Sequence, residues 1–254
     1  MLNVELIPVL SDNYAYLFTT DNGTTAIVDP GEAGPVIEAI EAGPGRLDYI
    51  LNTHGHGDHI GGNAELKRRY NAELVAPEAD RTRIGDVDTG LHDGDTCTIG
   101  GERMHAIHTP GHTKNHLILW FPDSKILFAG DTLFAMGCGR LFEGDAETMW
   151  GSLQKIRDLG DDSITIYCGH EYTLKNAEFC SGQEPDNEAL QQRYDQVRAL
   201  RDKGSPTLPT TLGQEKATNS LLRADHDSVK HNLGMDGEPP EVVFAELRKR
   251  RDVA

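Results

Sequence analysis

The chain has 254 residues, with 24 Lys and Arg against 41 Asp and Glu, a formal net charge of -17 that repels phosphate backbones and argues against a nucleic-acid partner. With 37% hydrophobic residues and no apolar run long enough to cross a bilayer, it reads as soluble and globular, with no membrane partner and room for two unequal pieces. Met1 to Glu5 lacks the basic region and apolar run of a secretory signal, so a cytoplasmic location is expected, and the acidity would also suit a saline habitat.

Short apolar runs at Val4 to Leu10, Tyr14 to Thr19 and Thr25 to Val28, with Asp21-Asn22-Gly23 as a hairpin turn, predict an antiparallel start. Pro35 to Ala42 carries Val36, Ile37 and Ile40 at helical spacing. Leu47 to Asn52 reads as the next strand, Ala64 to Tyr70 as a helix and Glu73 to Ala76 as a strand, so this part is a layered α/β build. Strands return at Thr96 to Ile99, Arg103 to His108, His116 to Phe121, Lys125 to Ala129 and Ile164 to Cys168. Beyond Tyr172, the segments Asn187 to Asp202, Asp225 to Leu233 and Pro240 to Arg250 read as helices, which places a boundary near that residue.

The chemistry gathers at strand ends. Thr53 to His59, THGHGDH, packs three imidazoles and a carboxylate into six residues. In an extended turn His54 and His56 point to one side and can share a cation, while Asp58 and His59 splay toward a second. A donor set with no thiolate suits a catalytic divalent ion better than a closed structural knot. The plain alternative is a histidine-rich turn that collects metal without using it. Further candidates after later strands weigh against that: His112 in TPGHT, Asp131 in AGDT and His170 in GHEYT. The cysteines, Cys97, Cys138, Cys168 and Cys180, form no CxxC pair and read as small buried hydrophobes.

In order and spacing, THGHGDH, PGHT, AGDTLF and GHEYT resemble the metallo-β-lactamase superfamily. The opening IPVLSDNYAYLF, the loop GCGRLFEG and the tail LRKRRD narrow the resemblance to the glyoxalase II, or hydroxyacylglutathione hydrolase, family, over about Ile7 to Arg251. The resemblance implies an α/β fold, a four-layer αββα sandwich over residues 1–172, with a smaller C-terminal α-helical domain over 173–254 that binds the glutathione end. It assigns His54, His56 and His112 to one metal, Asp58, His59 and His170 to another, and Asp131 to both. Seven protein ligands are also too many for one tetrahedral ion but suit two ions sharing a carboxylate. Zinc is the first expectation, with iron or manganese as alternatives.

The implied reaction is hydrolysis of a glutathione thioester, S-D-lactoylglutathione, to glutathione and D-lactate, the second step of methylglyoxal detoxification, by a monomer. A water between two cations roughly 3.5 Å apart should be largely hydroxide at neutral pH and act as the nucleophile, with Asp58 as ligand and catalytic orienting group. The resemblance places Arg140, Phe142, Tyr172, Arg248 and Arg251 on the substrate. Plain alternatives are a surface charge for Arg140, a core cap for Tyr172, and for Arg248 and Arg251 a basic helix end complementing the dipole. Phe142 stands where some members have tyrosine, Arg251 where some have lysine, and Asn115 where glycine is common; Gly55 and Gly57 imply a more mobile metal turn. A lactonase or a persulfide dioxygenase of the same superfamily remains the alternative activity. His92, His105, His108, His226 and His231 are expected to be structural or surface residues. His116 is expected to orient a ligand, and Asp29 to shape the metal loop by hydrogen bonding rather than bind metal.

Overall fold

Burial along the first strand alternates, as one covered face requires, and the next strand is buried almost throughout because both its faces are covered. These are β1 (Asn3–Val9) and β2 (Asn13–Thr19), paired antiparallel with Ile7 opposite Ala15, and β3 (Thr25–Val28) continues the meander with Tyr16 opposite Val28. Helix α1 (Ala33–Ala42) lets the sheet turn parallel: β4 (Tyr49–Leu51) lies beside β3, with Ile27 opposite Ile50. The chain then forms α2 (Gly57–Ile60), α3 (Asn63–Tyr70), β5 (Glu73–Pro77), α4 (Arg81–Ile84) and β6 (Thr89–Leu91), with β5 and β6 again parallel. Val36 and Ile40 of α1 and Leu66 of α3 pack with Leu17, Ile27, Ile50 and Leu74, so the helical stripe and one sheet face share a core.

A second sheet follows as an antiparallel meander of β7 (Thr96–Ile99), β8 (Glu102–His108), β9 (Leu117–Phe121) and β10 (Ile126–Gly130). It faces the first sheet through aromatic contacts: the Phe18 ring stacks on Phe128 at 5.8 Å and meets Phe121 edge-on at 5.5 Å. Helix, sheet and sheet thus form three successive layers.

The structure is a computed structural model and describes residues 1–253. It separates into two compact units, one formed by Met1–His108 and Asn115–Gly130, the other by Thr109–Lys114 and Asp131 onward. The second unit contains the hairpin β11 (Leu133–Phe134) and β12 (Gly137–Cys138), then α5 (Ala146–Arg157), β13 (Thr165–Cys168), α6 (Thr173–Gln183), α7 (Glu188–Arg201), β14 (Thr210–Thr211), α8 (Leu212–Thr218), α9 (Asp227–Leu233) and α10 (Pro240–Asp252). Asp145 caps α5 by accepting from Thr148 N, Asn187 caps α7 by accepting from Leu190 N, and proline opens α10. Among the described residues, no helix is long and apolar enough to cross a membrane.

The expected strands and helices appear within a few residues of their predicted ends, and the structure adds elements the sequence reading lacks, α4, β6, β11, β12, β14 and α8 among them. The metal turn is not extended throughout, because α2 begins at Gly57 and puts Asp58 and His59 on a single helical turn. Helix α5 was not expected, although Met149, Trp150, Leu153 and Ile156 give it an apolar stripe. Helix α6 buries Asn176, Ala177 and Cys180 beside Phe179, a face too polar and small to register as amphipathic. Of the cysteines, Cys138, Cys168 and Cys180 are buried as expected, and burial pushes the Cys180 thiol up to about 11; Cys97 is only partly buried.

Candidate metal centre

The donors of the first unit sit where β4 runs out. Thr53 and His54 have no exposed surface, so the polar groups of this turn must be met internally. Asp29, just past β3, meets them. Its Oδ1 accepts from Thr53 N at 2.8 Å, and its Oδ2 accepts from Thr53 Oγ1 at 2.7 Å and lies 3.1 Å from His59 Nδ1. A carboxylate can only accept, so His59 carries its proton on Nδ1 and presents the lone pair of Nε2. The Thr53 hydroxyl spends its hydrogen on Asp29 and therefore accepts from His54 Nδ1 at 3.0 Å, which fixes the same tautomer in His54. One acid thus orients two imidazoles, His59 directly and His54 through Thr53. Asp29, His54 and His59 each offer a ligand atom within 4.8 Å of the others.

Asp29 adopts φ +50, a left-handed conformation that costs a non-glycine residue roughly 1 kcal/mol or more. Its hydrogen bonds offset that cost. Gly31 follows closely because a Cβ there would collide with the Asp58 carbonyl. Replacing Asp29 by alanine is expected to weaken metal binding by roughly 10- to 100-fold, read by competition against a chelating dye. Wild-type retention in that assay would show that the tautomers are set by other groups.

Two residues absent from the sequence reading complete this half. Asn13 donates its amide to Asp58 Oδ2 at 2.9 Å and to the Asp58 carbonyl at 3.3 Å. Buried Asp80 accepts from Gly55 N at 3.0 Å through Oδ2 and from the Asn115 amide at 2.8 Å through Oδ1. The glycine-containing turn is pinned between its two histidines by this clamp, and Asn115 serves it. His116 is buried, with its ring stacked on His54 at 4.8 Å, in keeping with an orienting role. His92, His105 and His231 make hydrogen bonds or ion pairs at exposed positions with Asp95, Thr96 and Asp236, while burial lowers the pKa of His226.

The second unit carries His112, Asp131 and His170 and brings them together. Asp131 Oδ2 lies 3.3 Å from His112 Nε2 and 3.2 Å from His170 Nε2. His112 Nδ1 donates to the Arg140 carbonyl at 3.0 Å, so its Nε2 lone pair points at the carboxylate. The His112 lone pair so directed at an anion would be relieved by a cation between them. Ligand arms of about 2.0–2.1 Å in a tetrahedron put neighbouring donor atoms about 3.3 Å apart, so both spacings would suit donors to a zinc-sized ion. The donor set, imidazole and carboxylate with no thiolate, fits such ions as well.

Tyr172 stacks on His170, with ring centroids 4.7 Å apart and planes 7° apart, and Phe134 meets both rings edge-on. Phe142 is exposed, with its ring 5.3 Å from that of His112. Arg251 donates from Nε and Nη2 to Asn176 Oδ1 at 3.2 Å. Arg248 is buried, donating from Nη1 to the Cys138 carbonyl at 3.0 Å and from Nη2 to Asp252 at 2.8 Å. Arg140, largely exposed, has Nε 3.8 Å from Asp252. Three guanidiniums against one carboxylate leave a local excess of positive charge. Burial, and then the neighbouring Arg248 charge, pull the Arg251 pKa down, a penalty that an incoming anion would relieve.

Comparison with known proteins identifies the family. Residues 10–170 match the family model of the metallo-beta-lactamase superfamily, and residues 171–254 match that of the hydroxyacylglutathione hydrolase C-terminus. The hydroxyacylglutathione hydrolase of Methylococcus capsulatus is 48% identical over 254 residues, covering 100% of this chain and 99% of its own. That of Rhodopseudomonas palustris strain BisA53 is 50% identical over 250 residues, covering 98% of each. Among solved structures, the BLEG-1 B3 metallo-beta-lactamase superposes with a TM-score of 0.68 at 22% identity, covering 87% of this chain and 99% of that one. TTHA1623, crystallised in a di-iron-bound form, gives 0.60 at 22% identity, covering 85% and 98%. The fold is therefore the αββα metallo-β-lactamase sandwich with a C-terminal helical domain. With the family models and whole-chain relatives in agreement, the chain belongs to the hydroxyacylglutathione hydrolase family of the metallo-β-lactamase superfamily.

Proposed function

We propose that this enzyme hydrolyses S-(2-hydroxyacyl)glutathione thioesters, S-D-lactoylglutathione foremost, to glutathione and the 2-hydroxy acid, as the second step of methylglyoxal detoxification. The observation that carries this reading is the convergence of two imidazole nitrogens on one Asp131 oxygen, in a chain whose full-length relatives bear the name hydroxyacylglutathione hydrolase. His54, His56 and His112 would hold one divalent ion, Asp58, His59 and His170 a second, and Asp131 both. Zinc suits these donors first, with iron, as in the di-iron TTHA1623, or manganese as alternatives. Such ions, when bound, polarise the thioester carbonyl and lower the pKa of water.

The remaining work falls to the chain. Asp58, held by Asn13, orients the attacking water and accepts its hydrogen bond. The acyl carbon gains a C–O bond to the water oxygen and loses its C–S bond, the electron pair leaving on sulfur and the protons of the water passing to solvent. A thiolate leaves readily, since a thiol titrates near pH 8.5, so no dedicated general acid is needed. Arg140, Arg248 and Arg251 supply the positive charge that a chain of net -17 must concentrate locally to hold the carboxylates of glutathione. Tyr172, stacked on His170, and Phe142, edge-on to His112, would border the acyl and thiol ends. On this reading residues 1–172 bear the metal ligands and residues 173–254 the basic helix for glutathione. The cysteines form no disulfide among the described residues, which suits a reducing compartment such as the cytoplasm.

The test is turnover of S-D-lactoylglutathione, followed by loss of thioester absorbance, on protein whose metal content is measured in the same preparation. Rapid turnover with about two ions per chain is expected, and lactones should be poor substrates. Full metal loading without thioester turnover would overturn the substrate assignment, and preferential lactone cleavage would install a lactonase in its place.

A further inference from the structure

The hairpin β11–β12 begins two residues after Asp131, and its strands pair only Leu133 with Cys138 and Phe134 with Gly137. Several other polar groups of its backbone are met by side chains from the C-terminal helices. Glu215 Oε2 accepts from Met136 N at 2.8 Å. Asn219 Nδ2 donates to the Gly137 carbonyl at 3.0 Å and, more weakly, to that of Phe134 at 3.4 Å. Asn176 Nδ2 donates to the Ala135 carbonyl at 3.1 Å, Cys180 Sγ to that of Met136 at 3.1 Å, and Arg248 Nη1 to that of Cys138 at 3.0 Å. The fit is close, since a Cβ on Gly137 would come within 2.5 Å of Asn176 Nδ2.

Glu215 and Asn219 are the centre of this arrangement. Glu215 is fully buried, accepts from Asn219 Nδ2 at 3.0 Å, and is anchored through Oε1 by Arg193 at 2.6 Å and Thr210 at 2.7 Å. It is therefore a rigid post rather than a mobile acid. The hairpin it grips carries Phe134, whose ring supports both His170 and Tyr172, and starts beside Asp131.

We propose that Glu215 and Asn219 are positioning residues for the Asp131 side of the metal centre, so that the helical tail holds metal ligands as well as substrate. This rests on the reading of Asp131 as a metal ligand. A loosened hairpin would let Asp131 Oδ2 drift from His112 and His170, costing metal affinity and kcat while leaving KM for the thioester nearly unchanged.

The tail offers its own control. Glu184 is an equally buried carboxylate, paired with Arg223 and Ser220, and among the described residues its hydrogen bonds go to groups outside the hairpin. Glu215→Gln, Asn219→Ala and Glu184→Gln are compared by metal retained after dialysis against a chelator, by the visible spectrum of the cobalt(II)-loaded proteins, and by Tm. All three should lower Tm. Only the first two should bind metal roughly tenfold or more weakly and alter the cobalt spectrum. Wild-type metal affinity and spectrum in Glu215→Gln and Asn219→Ala would overturn the proposal, as would equal metal loss in Glu184→Gln. If Glu215→Gln does not fold, Asn219→Ala decides alone. A wild-type chain that takes up no metal would instead refute the reading of Asp131, and the proposal with it.

Discussion

Asp131→Asn is expected to lower thioester turnover by about a thousandfold and to reduce the metal recovered per chain from about two ions to one or fewer. The substitution keeps the shape of the side chain and removes only its charge and one acceptor. Asp131 Oδ2 faces His112 Nε2 at 3.3 Å and His170 Nε2 at 3.2 Å, so two cations would share that one anionic oxygen. With a neutral amide, two divalent charges would oppose each other without the carboxylate between them, and an amide nitrogen turned inward would no longer offer a ligand oxygen. Loss of several kcal/mol of charge stabilisation converts to about three decades of rate at 1.36 kcal/mol per decade. Metal analysis and steady-state kinetics on one preparation check both parts. Full metal content with wild-type kcat would remove Asp131 from the centre.

The same residues show why part of the site is legible in a sequence and part is not. His54, His56, Asp58 and His59 lie within six positions, so their chemistry stands out before any fold is known. His112, Asp131 and His170 stand out because each lies within a few residues of the end of a segment that reads as a strand, β8, β10 and β13, and strand ends are where a sheet presents side chains rigidly. Asp29 was legible to the extent that an acid after a strand must satisfy something. Asn13, Asp80, Glu215 and Asn219 were not, because their partners are distant in sequence and largely backbone. Glu215 reaches Met136 N across 79 residues and Asp80 reaches Gly55 N across 25, and no local periodicity encodes such pairs. Helix α6 escaped for a related reason, since Asn176 and Cys180 are buried in order to serve the hairpin carbonyls, which erases the apolar stripe that marks a helix.

Asp58 is the residue whose role separates binding from chemistry. It lies in the first turn of α2 with a side chain 41% exposed, whereas His59 beside it is 1% exposed. A ligand needed only for holding metal gains nothing from such access, but a carboxylate that orients a water must reach the solvent side. Asp58→Asn is therefore expected to cut kcat by roughly 10^2- to 10^4-fold with KM little changed, while the His54 and His56 ion is retained. Asn13→Ala should move kcat in the same direction by a smaller factor, about tenfold, because it frees the Asp58 carboxylate to rotate without removing it. If Asn13 works only through Asp58, adding Asn13→Ala to Asp58→Asn should cost nothing further, and the two effects should be strongly non-additive. Full additivity in kcat would place Asn13 on the substrate directly. A rise in KM with kcat intact in Asp58→Asn would make Asp58 a binding group rather than the one that aims the water.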